Sequence, residues 1–229
     1  MSRLRLYGYW RSSASHRVRI ALQLKGLDYE YVPVDLRTDG GAQFSAEYRA
    51  LNPQSRVPTL ETPDGLLTQS MAIMEWLEET HPQPPLLPSD ARRRARVRAL
   101  AQILAADVQP LQNTSVTRYL RETLHVDEPG LAAWLEEWIG RGLAAVEDLL
   151  RREPVSGDYC VGERPSIADV CLAAQCESAR RFNVALEPYP RIARIDAACG
   201  ALGAFQRAAP QQQSDAPGNS PAAVGSARS

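Results

Sequence analysis

A chain of 229 residues can hold one large domain or two modest ones, each with its own core. With 44% hydrophobic and 23% charged residues and a net charge of −1, it reads as globular. That charge excludes a global electrostatic pull toward nucleic acid or an anionic membrane.

Apolar runs stay below the ~20 residues that span a bilayer. Met1-Ser2-Arg3 leads straight into a strand pattern without the apolar stretch of a signal peptide. Cys160, Cys171, Cys176 and Cys199 lack CxxC or Cys/His ligand spacing. Buried reduced thiols, no metal site and a cytoplasmic setting are therefore expected. Positive charge is almost all arginine, Lys25 being the only lysine. The cluster Arg92-Arg93-Arg94 with Arg96 and Arg98 fits the solvated start of a long helix better than a phosphate patch.

In chain order, Leu4 to Tyr9 reads as a strand and Ser13 to Leu24 as a helix ended by Gly26. Tyr29 to Val34 alternates as a second strand, and a polar stretch from Gly40 to Leu51 looks helical after its glycine pair. Val57 to Glu61, the turn Pro63-Asp64-Gly65 and Leu66 to Thr68 form a hairpin, after which Ser70 opens a third helix. The order β-α-β-α-β-β-α predicts a small mixed sheet with helices on its faces.

Four prolines between His81 and Pro88 mark a stiff linker. Beyond it the pattern is helical. Ala91 to Arg121 is interrupted only by Pro110, where a kink is expected. Leu131 to Arg151 repeats apolar residues at helical spacing, Ser166 to Asp169 reads as a capping box, and another helix begins near Tyr189-Pro190. From Pro210 onward Gln, Ser, Ala, Pro and Gly dominate without periodicity, so disorder is expected.

The stretch Tyr9-Trp10-Arg11-Ser12-Ser13-Ala14-Ser15-His16 gathers hydroxyls where a strand ends and a helix begins. Orphan N–H groups and the positive end of the helix dipole favour an anion there, and a thiolate is such an anion. On the residues alone, Ser12 or Ser13 serves equally as an N-cap. His16 invites a general-base role, but its place in the first helical turn fits packing or polar support better. His81 and His125 fall in a linker and a loop and take no role.

Several motifs together resemble the zeta class of cytosolic glutathione transferases. They are Arg11-Ser12-Ser13 with Arg17-Val18-Arg19-Ile20-Ala21-Leu22, Ala50-Leu51-Asn52-Pro53 with Val57-Pro58, Gln69-Ser70, Gln109-Pro110-Leu111-Gln112-Asn113, and Ala179-Arg180-Arg181-Phe182 ahead of Pro188-Tyr189-Pro190. The resemblance implies an α/β plus all-α fold. A thioredoxin-like glutathione-binding domain over 1–81 is followed by a linker at 82–89, an all-helical substrate domain over 90–209 and a disordered tail at 210–229.

It also implies glutathione as cofactor, a homodimer, and cis–trans isomerisation of maleylacetoacetate in tyrosine and phenylalanine breakdown. Maleylpyruvate is the alternative substrate. Conjugation or dehalogenation, or a non-catalytic scaffold, remain as further alternatives.

Carried over residue by residue, Ser12 stabilises the glutathione thiolate, and Ser12, Ser13, Ala14, Gln43, Val57, Gln69, Ser70 and Gln109 hold glutathione. Val57 precedes the family's cis-proline, and Ser70 is placed at a helix N-cap where it offers its hydroxyl to the γ-glutamyl carboxylate. Arg11 and Arg181 take the substrate carboxylates, with Asn113 and Ser115 as further substrate-binding residues. Asp169 is assigned to folding. The family pattern has Ser-Ser-Cys where this chain has Ser12-Ser13-Ala14, so the protein brings no thiol of its own to that position.

Overall fold

The computed structural model describes residues 4–37, 40–154 and 156–219. They fall into two compact units: the chain up to Glu75 together with the segment from Ala204 onward, and Trp76 to Gly203.

In the first unit, strands β1 (Leu4–Gly8), β2 (Tyr29–Pro33), β3 (Thr59–Thr62) and β4 (Gly65–Thr68) form one sheet in the order β2-β1-β3-β4. β1 runs parallel to β2, whereas β3 is antiparallel to both β1 and β4. The parallel pair requires a crossover, which helix α1 (Ser13–Leu24) supplies. α1 closes in a Schellman motif. Gly26 takes φ +65°, its N–H donates to Gln23 O, and the Leu27 N–H reaches back to Leu22 O.

Val18, Ile20, Ala21 and Leu22 of α1, and Leu6 and Leu60 of the sheet, are all fully buried. Burying each such aliphatic side chain is worth about 1.5–3 kcal/mol before chain entropy is counted. Among the described residues the stretch before β3 holds a short 3₁₀ turn at Ala42–Phe44 and helix α2 (Ala46–Leu51), less helix than its polarity suggested. Helix α3 (Ser70–Thr80) follows β4, and the division between the units falls within it, not in the proline-rich linker.

The second unit is helical: α4 (Ala91–Gln102), α5 (Thr114–Glu122), α6 (Glu128–Arg152), α7 (Ile167–Arg181) and α8 (Pro190–Gly200). α7, apolar almost all round, packs against both α4 and α8. Its start is the expected capping box: buried Asp169 accepts from the Ser166 N–H and hydroxyl and from the Cys160 N–H. All four cysteines are buried and free. The linker is tied down by Glu78, whose carboxylate accepts the N–H groups of Leu86 and Leu87.

The second unit and the carboxy-terminal segment each differ from expectation. Ala91 to Arg121 is not one helix kinked at Pro110. α4 stops at Gln102, a π-helical turn spans Ile103–Val108, a 3₁₀ turn spans Gln109–Gln112, and α5 starts afresh. Pro110 cannot donate into the helical ladder, and Asn113 then caps the new helix. α6 lies so close to the π-turn that a Cβ on Gly142 would sit 2.0 Å from Val108 Cγ2.

The tail departs from the expected disorder. Helix α9 (Gly203–Ala208), from Ala204 onward, and a 3₁₀ turn at Pro210–Gln212 belong to the first unit, and Gln213 and Ala216 are buried. Gln213 donates to the carbonyls of Arg207 and Ala209, and Asn219 donates to those of Gln211 and Gln213. Side-chain amides thus satisfy the backbone that an aperiodic composition left without a regular partner. The remainder of the expected disordered segment, 220–229, lies outside the described residues.

Candidate active site

Sheet register decides which predicted residues can meet. Tyr7 of β1 pairs with Thr59 of β3, Thr59 pairs with Thr68 of β4, and Gly8 pairs with Pro33 of β2. The chain therefore leaves β1 toward Arg11-Ser12, reaches β3 from Val57-Pro58 and leaves β4 toward Gln69-Ser70, all at one end of the sheet. Strand spacing puts these three points within about 10 Å laterally.

Ser12 is the N-cap of α1: its Oγ accepts the Ser15 N–H at 3.2 Å and its carbonyl accepts the His16 N–H. The two roles weighed for Ser12 are compatible, because capping occupies a lone pair and leaves the hydroxyl proton for an anion. The Ala14 N–H takes no partner among the described residues and adds a donor at the positive end of the helix dipole. His16 is buried within α1.

The Val57–Pro58 peptide is cis. The loop before it is shaped by Asn52, 2% exposed, whose amide donates to Arg56 O and Thr59 Oγ1 while its oxygen accepts the Gln54 N–H. The Tyr48 hydroxyl also donates to Arg56 O at 2.8 Å. Burial raises the Tyr48 hydroxyl above its usual value, so it stays a donor at neutral pH. Val57 itself packs in a cluster with Tyr7, Val34 and Tyr48, against which Tyr9 leans. Among the described residues its backbone N–H and C=O bond to no other group, which leaves an edge for an added strand.

Ser70 departs from its expected place. Gln69, at φ +67°, supplies the carbonyl that accepts the Ile73 N–H and so occupies the N-cap position, making Ser70 the first helical residue. Ser70 Oγ accepts Arg17 Nε at 3.1 Å in the interior, and Gln69 donates to Gln54 Oε1 at 2.6 Å. Gln43 lies in the 3₁₀ turn, buried, and among the described residues its Oε1 has no partner. Gly41 at φ +105° makes room for that side chain, since a Cβ there would fall 2.4 Å from Gln43 Oε1.

A tripeptide with a thiol, a backbone to pair and an α-amino acid end fits this donor set. The orphaned Gln43 oxygen, the unpaired Val57 edge, the Ser12 hydroxyl and two helix N-termini are the groups it would engage. Arg11, half-buried, is carried on the same turn as Ser12.

In the second unit, Gln109 opens the 3₁₀ turn. Asn113 and Ser115 form a cap: the Asn113 side-chain oxygen, Oδ1, accepts both the N–H and the hydroxyl of Ser115. Their sequence signal was a capping signal as much as a binding one. Arg180 is committed to an ion pair with Asp196. Arg181, at the last turn of α7, stacks its guanidinium over the Phe182 ring at 4.7 Å and donates to Ser178.

Sequence reasoning missed the buried cations. Arg17 and Arg19 of α1 resemble a solvated face by charge, yet they are 3% and 0% exposed. Their one local signal was that Val18, Ile20, Ala21 and Leu22 left α1 no polar side to present. Asp215, in the segment expected to be disordered, accepts the Trp10 N–H at 2.9 Å.

The glutathione S-transferase N-terminal domain family matches residues 6–85, and the C-terminal domain family matches residues 128–195. The maleylacetoacetate isomerase of Pseudomonas aeruginosa is 50% identical over 217 residues, covering 93% of this chain and 99% of that one. A holo structure of maleyl pyruvate isomerase, described as a bacterial zeta-class glutathione S-transferase, superposes with a TM-score of 0.90 at 50% identity, covering 93% of this chain and 99% of that chain. Maleylacetoacetate isomerase from Anaeromyxobacter dehalogenans with glutathione bound in its active site superposes at 0.83 with 51% identity, over 94% of this chain and 98% of that one. A further structure of that enzyme holds dicarboxyethyl glutathione and citrate. With both domain families matched in order and half the residues identical along nearly the whole chain, this protein belongs to the zeta class of the glutathione S-transferase family.

Proposed function

We propose that this protein is a glutathione-dependent cis–trans isomerase acting on maleylacetoacetate. The observation that carries this function is the α1 N-cap: a Ser12 hydroxyl whose proton finds no acceptor among the described residues, beside Arg11, at the sheet end that also holds Val57-Pro58 and Gln69-Ser70.

Glutathione, when bound, supplies a thiol that adds reversibly to the conjugated double bond, permits rotation about it and departs unchanged. Ser12 donates its hydroxyl to the sulfur and holds it as thiolate, and the α1 N-terminus adds fixed positive potential. Val57 pairs with the cysteinyl backbone, and Gln69, Ser70 and Gln43 hold the polar ends of the tripeptide, with Ser13, Ala14 and Gln109 as further assigned glutathione contacts. Arg11 and Arg181 each offer a planar fork to one substrate carboxylate, with Asn113 and Ser115 as further polar contacts. Holding both carboxylates while the bond between them turns is a positioning task that the protein performs without consuming a reagent.

Maleylpyruvate is the second reading, favoured by the TM-score of 0.90 to a maleyl pyruvate isomerase and by the Ser15-His16-Arg17 stretch, which resembles bacterial maleylpyruvate isomerases. With maleylacetoacetate as substrate, the enzyme serves tyrosine and phenylalanine breakdown, working as a cytoplasmic homodimer.

Initial rates on maleylacetoacetate and maleylpyruvate, each with a trace of glutathione, test the assignment, with free thiol followed throughout. Complete conversion with thiol conserved is expected, fastest on maleylacetoacetate. Stoichiometric loss of thiol would instead make the protein a conjugating or dehalogenating transferase, and faster turnover of maleylpyruvate would reverse the substrate order.

A further inference from the structure

The turn that carries Arg11 and Ser12 is gripped from two sides, by a buried arginine within α1 and by a carboxylate 205 positions away. The Arg19 guanidinium, 0% exposed, donates through Nη1 to Tyr9 O at 3.4 Å, through Nη2 to Trp10 O at 3.0 Å and through Nε to Ala208 O at 3.0 Å. Asp215 Oδ2 accepts the Trp10 N–H at 2.9 Å and the Tyr31 hydroxyl at 3.3 Å. The Tyr31 ring in turn lies under the Arg19 guanidinium, with 5.9 Å from Cζ to the centroid. Within the turn, Tyr9 N–H donates to Ser15 Oγ and Ser12 N–H to Tyr9 O.

We propose that Arg19 and Asp215 are positioning residues. They clamp the Tyr9–Trp10 peptides between α1 and the carboxy-terminal segment and thereby aim Ser12 and Arg11. Neither touches substrate; both act through the turn.

The chemistry favours this over mere surface packing. Buried cations persist only when their protons are spent on acceptors, and Arg19 spends three of its N–H bonds on carbonyls of the turn and of the segment that carries Asp215. A Trp10 N–H bound to a carboxylate is a charge-assisted bond, about twice as strong as one between neutral groups. The segment is self-braced by Gln213 and Asn219, so it presents Asp215 from a fixed frame. For a general positioning device, small displacements count: about 1 Å at a reacting group can cost a hundredfold in rate.

The proposal rests on the isomerase function above, and one of its readouts is independent of glutathione. In full-length Asp215→Ala, amide exchange at Trp10 should accelerate about tenfold or more, the cost of losing a bond to a charged acceptor. Ultraviolet titration of the bound glutathione thiolate should show its neutral-pH fraction falling about threefold, and kcat should fall with it while KM for the dicarboxylate changes little. Asp215→Asn, which keeps an oxygen for Trp10 N–H, should restore most of the exchange protection. Tyr31→Phe should have a smaller effect than Asp215→Ala and serves if the alanine variant folds poorly.

Unchanged Trp10 exchange in Asp215→Ala would overturn the clamp. Faster exchange with an unchanged thiolate fraction and kcat would overturn its positioning role. If the native protein leaves the glutathione thiol as it is in water, the isomerase assignment fails instead, and Trp10 exchange alone decides the clamp.

Discussion

Arg17 Nε donates to Ser70 Oγ at 3.1 Å inside the first unit, joining the first helix to the start of the third. Both residues are buried, so the bond joins the helix that carries Ser12 to the helix start assigned to the γ-glutamyl carboxylate. A double-mutant cycle of Arg17→Met and Ser70→Ala is expected to show a coupling of about 1.5–3 kcal/mol, as for buried bonds to charged groups. Urea unfolding measures that coupling. Calorimetry should show the Ser70→Ala protein binding glutathione about tenfold more weakly.

Ser12 caps α1 and is assigned the thiolate, and substitution separates the two jobs. Ser12→Asn keeps a capping oxygen, whereas Ser12→Ala loses it; only the alanine variant should lose about 1 kcal/mol of stability. Both lack the hydroxyl and both should lose about 10²–10³ in kcat. Full activity in the asparagine variant would reduce Ser12 to a cap.

Neighbouring arginines at the end of α7 should behave differently. Arg180 is spent on Asp196, so Arg180→Ala should change stability by no more than about 1 kcal/mol and leave turnover alone. Arg181→Ala should raise KM for the dicarboxylate about tenfold or more while the glutathione affinity is unchanged. Steady-state kinetics on the two proteins, side by side, provide the comparison.

Near the end of α6, Asp148 is held below the usual carboxylate range, chiefly by its bond from Arg151 and further by Arg152. A depressed carboxyl stabilises the fold above its unfolded value, and the contribution disappears as pH falls through the lower folded value. Asp148→Asn should therefore melt slightly below the native protein at about pH 7, with the gap narrowing at about pH 2.5, below the unfolded carboxyl value. The pair is exposed, so about 1 M salt should erase the neutral-pH difference. Melting curves at the two pH values and two salt concentrations check the sign.

Much of the first unit was legible because its signals are local. A two-residue period followed by a helical one marks β1 and α1; Gly26 stops the helix and Pro63-Asp64-Gly65 turns the hairpin. The Ser166 and Asp169 capping box was equally legible, since its partners lie three residues apart. Pro110 misled on scale: its missing N–H was correctly noticed, but whether a helix kinks or restarts depends on what packs around it, and here α6 presses on the π-turn at Gly142.

What the sequence by itself determined is the order of elements, the helix start at Ser12 and the set of residue types suited to a thiolate and two carboxylates. What only the tertiary structure decided is which buried groups hold those residues in place. Arg19 reads as surface until α1 is seen with no solvent side, and Asp215 lies 205 positions from the N–H it accepts. Neither period nor composition encodes such a pairing. It comes from the rule that a buried donor must find an acceptor, applied to a chain already folded back on itself.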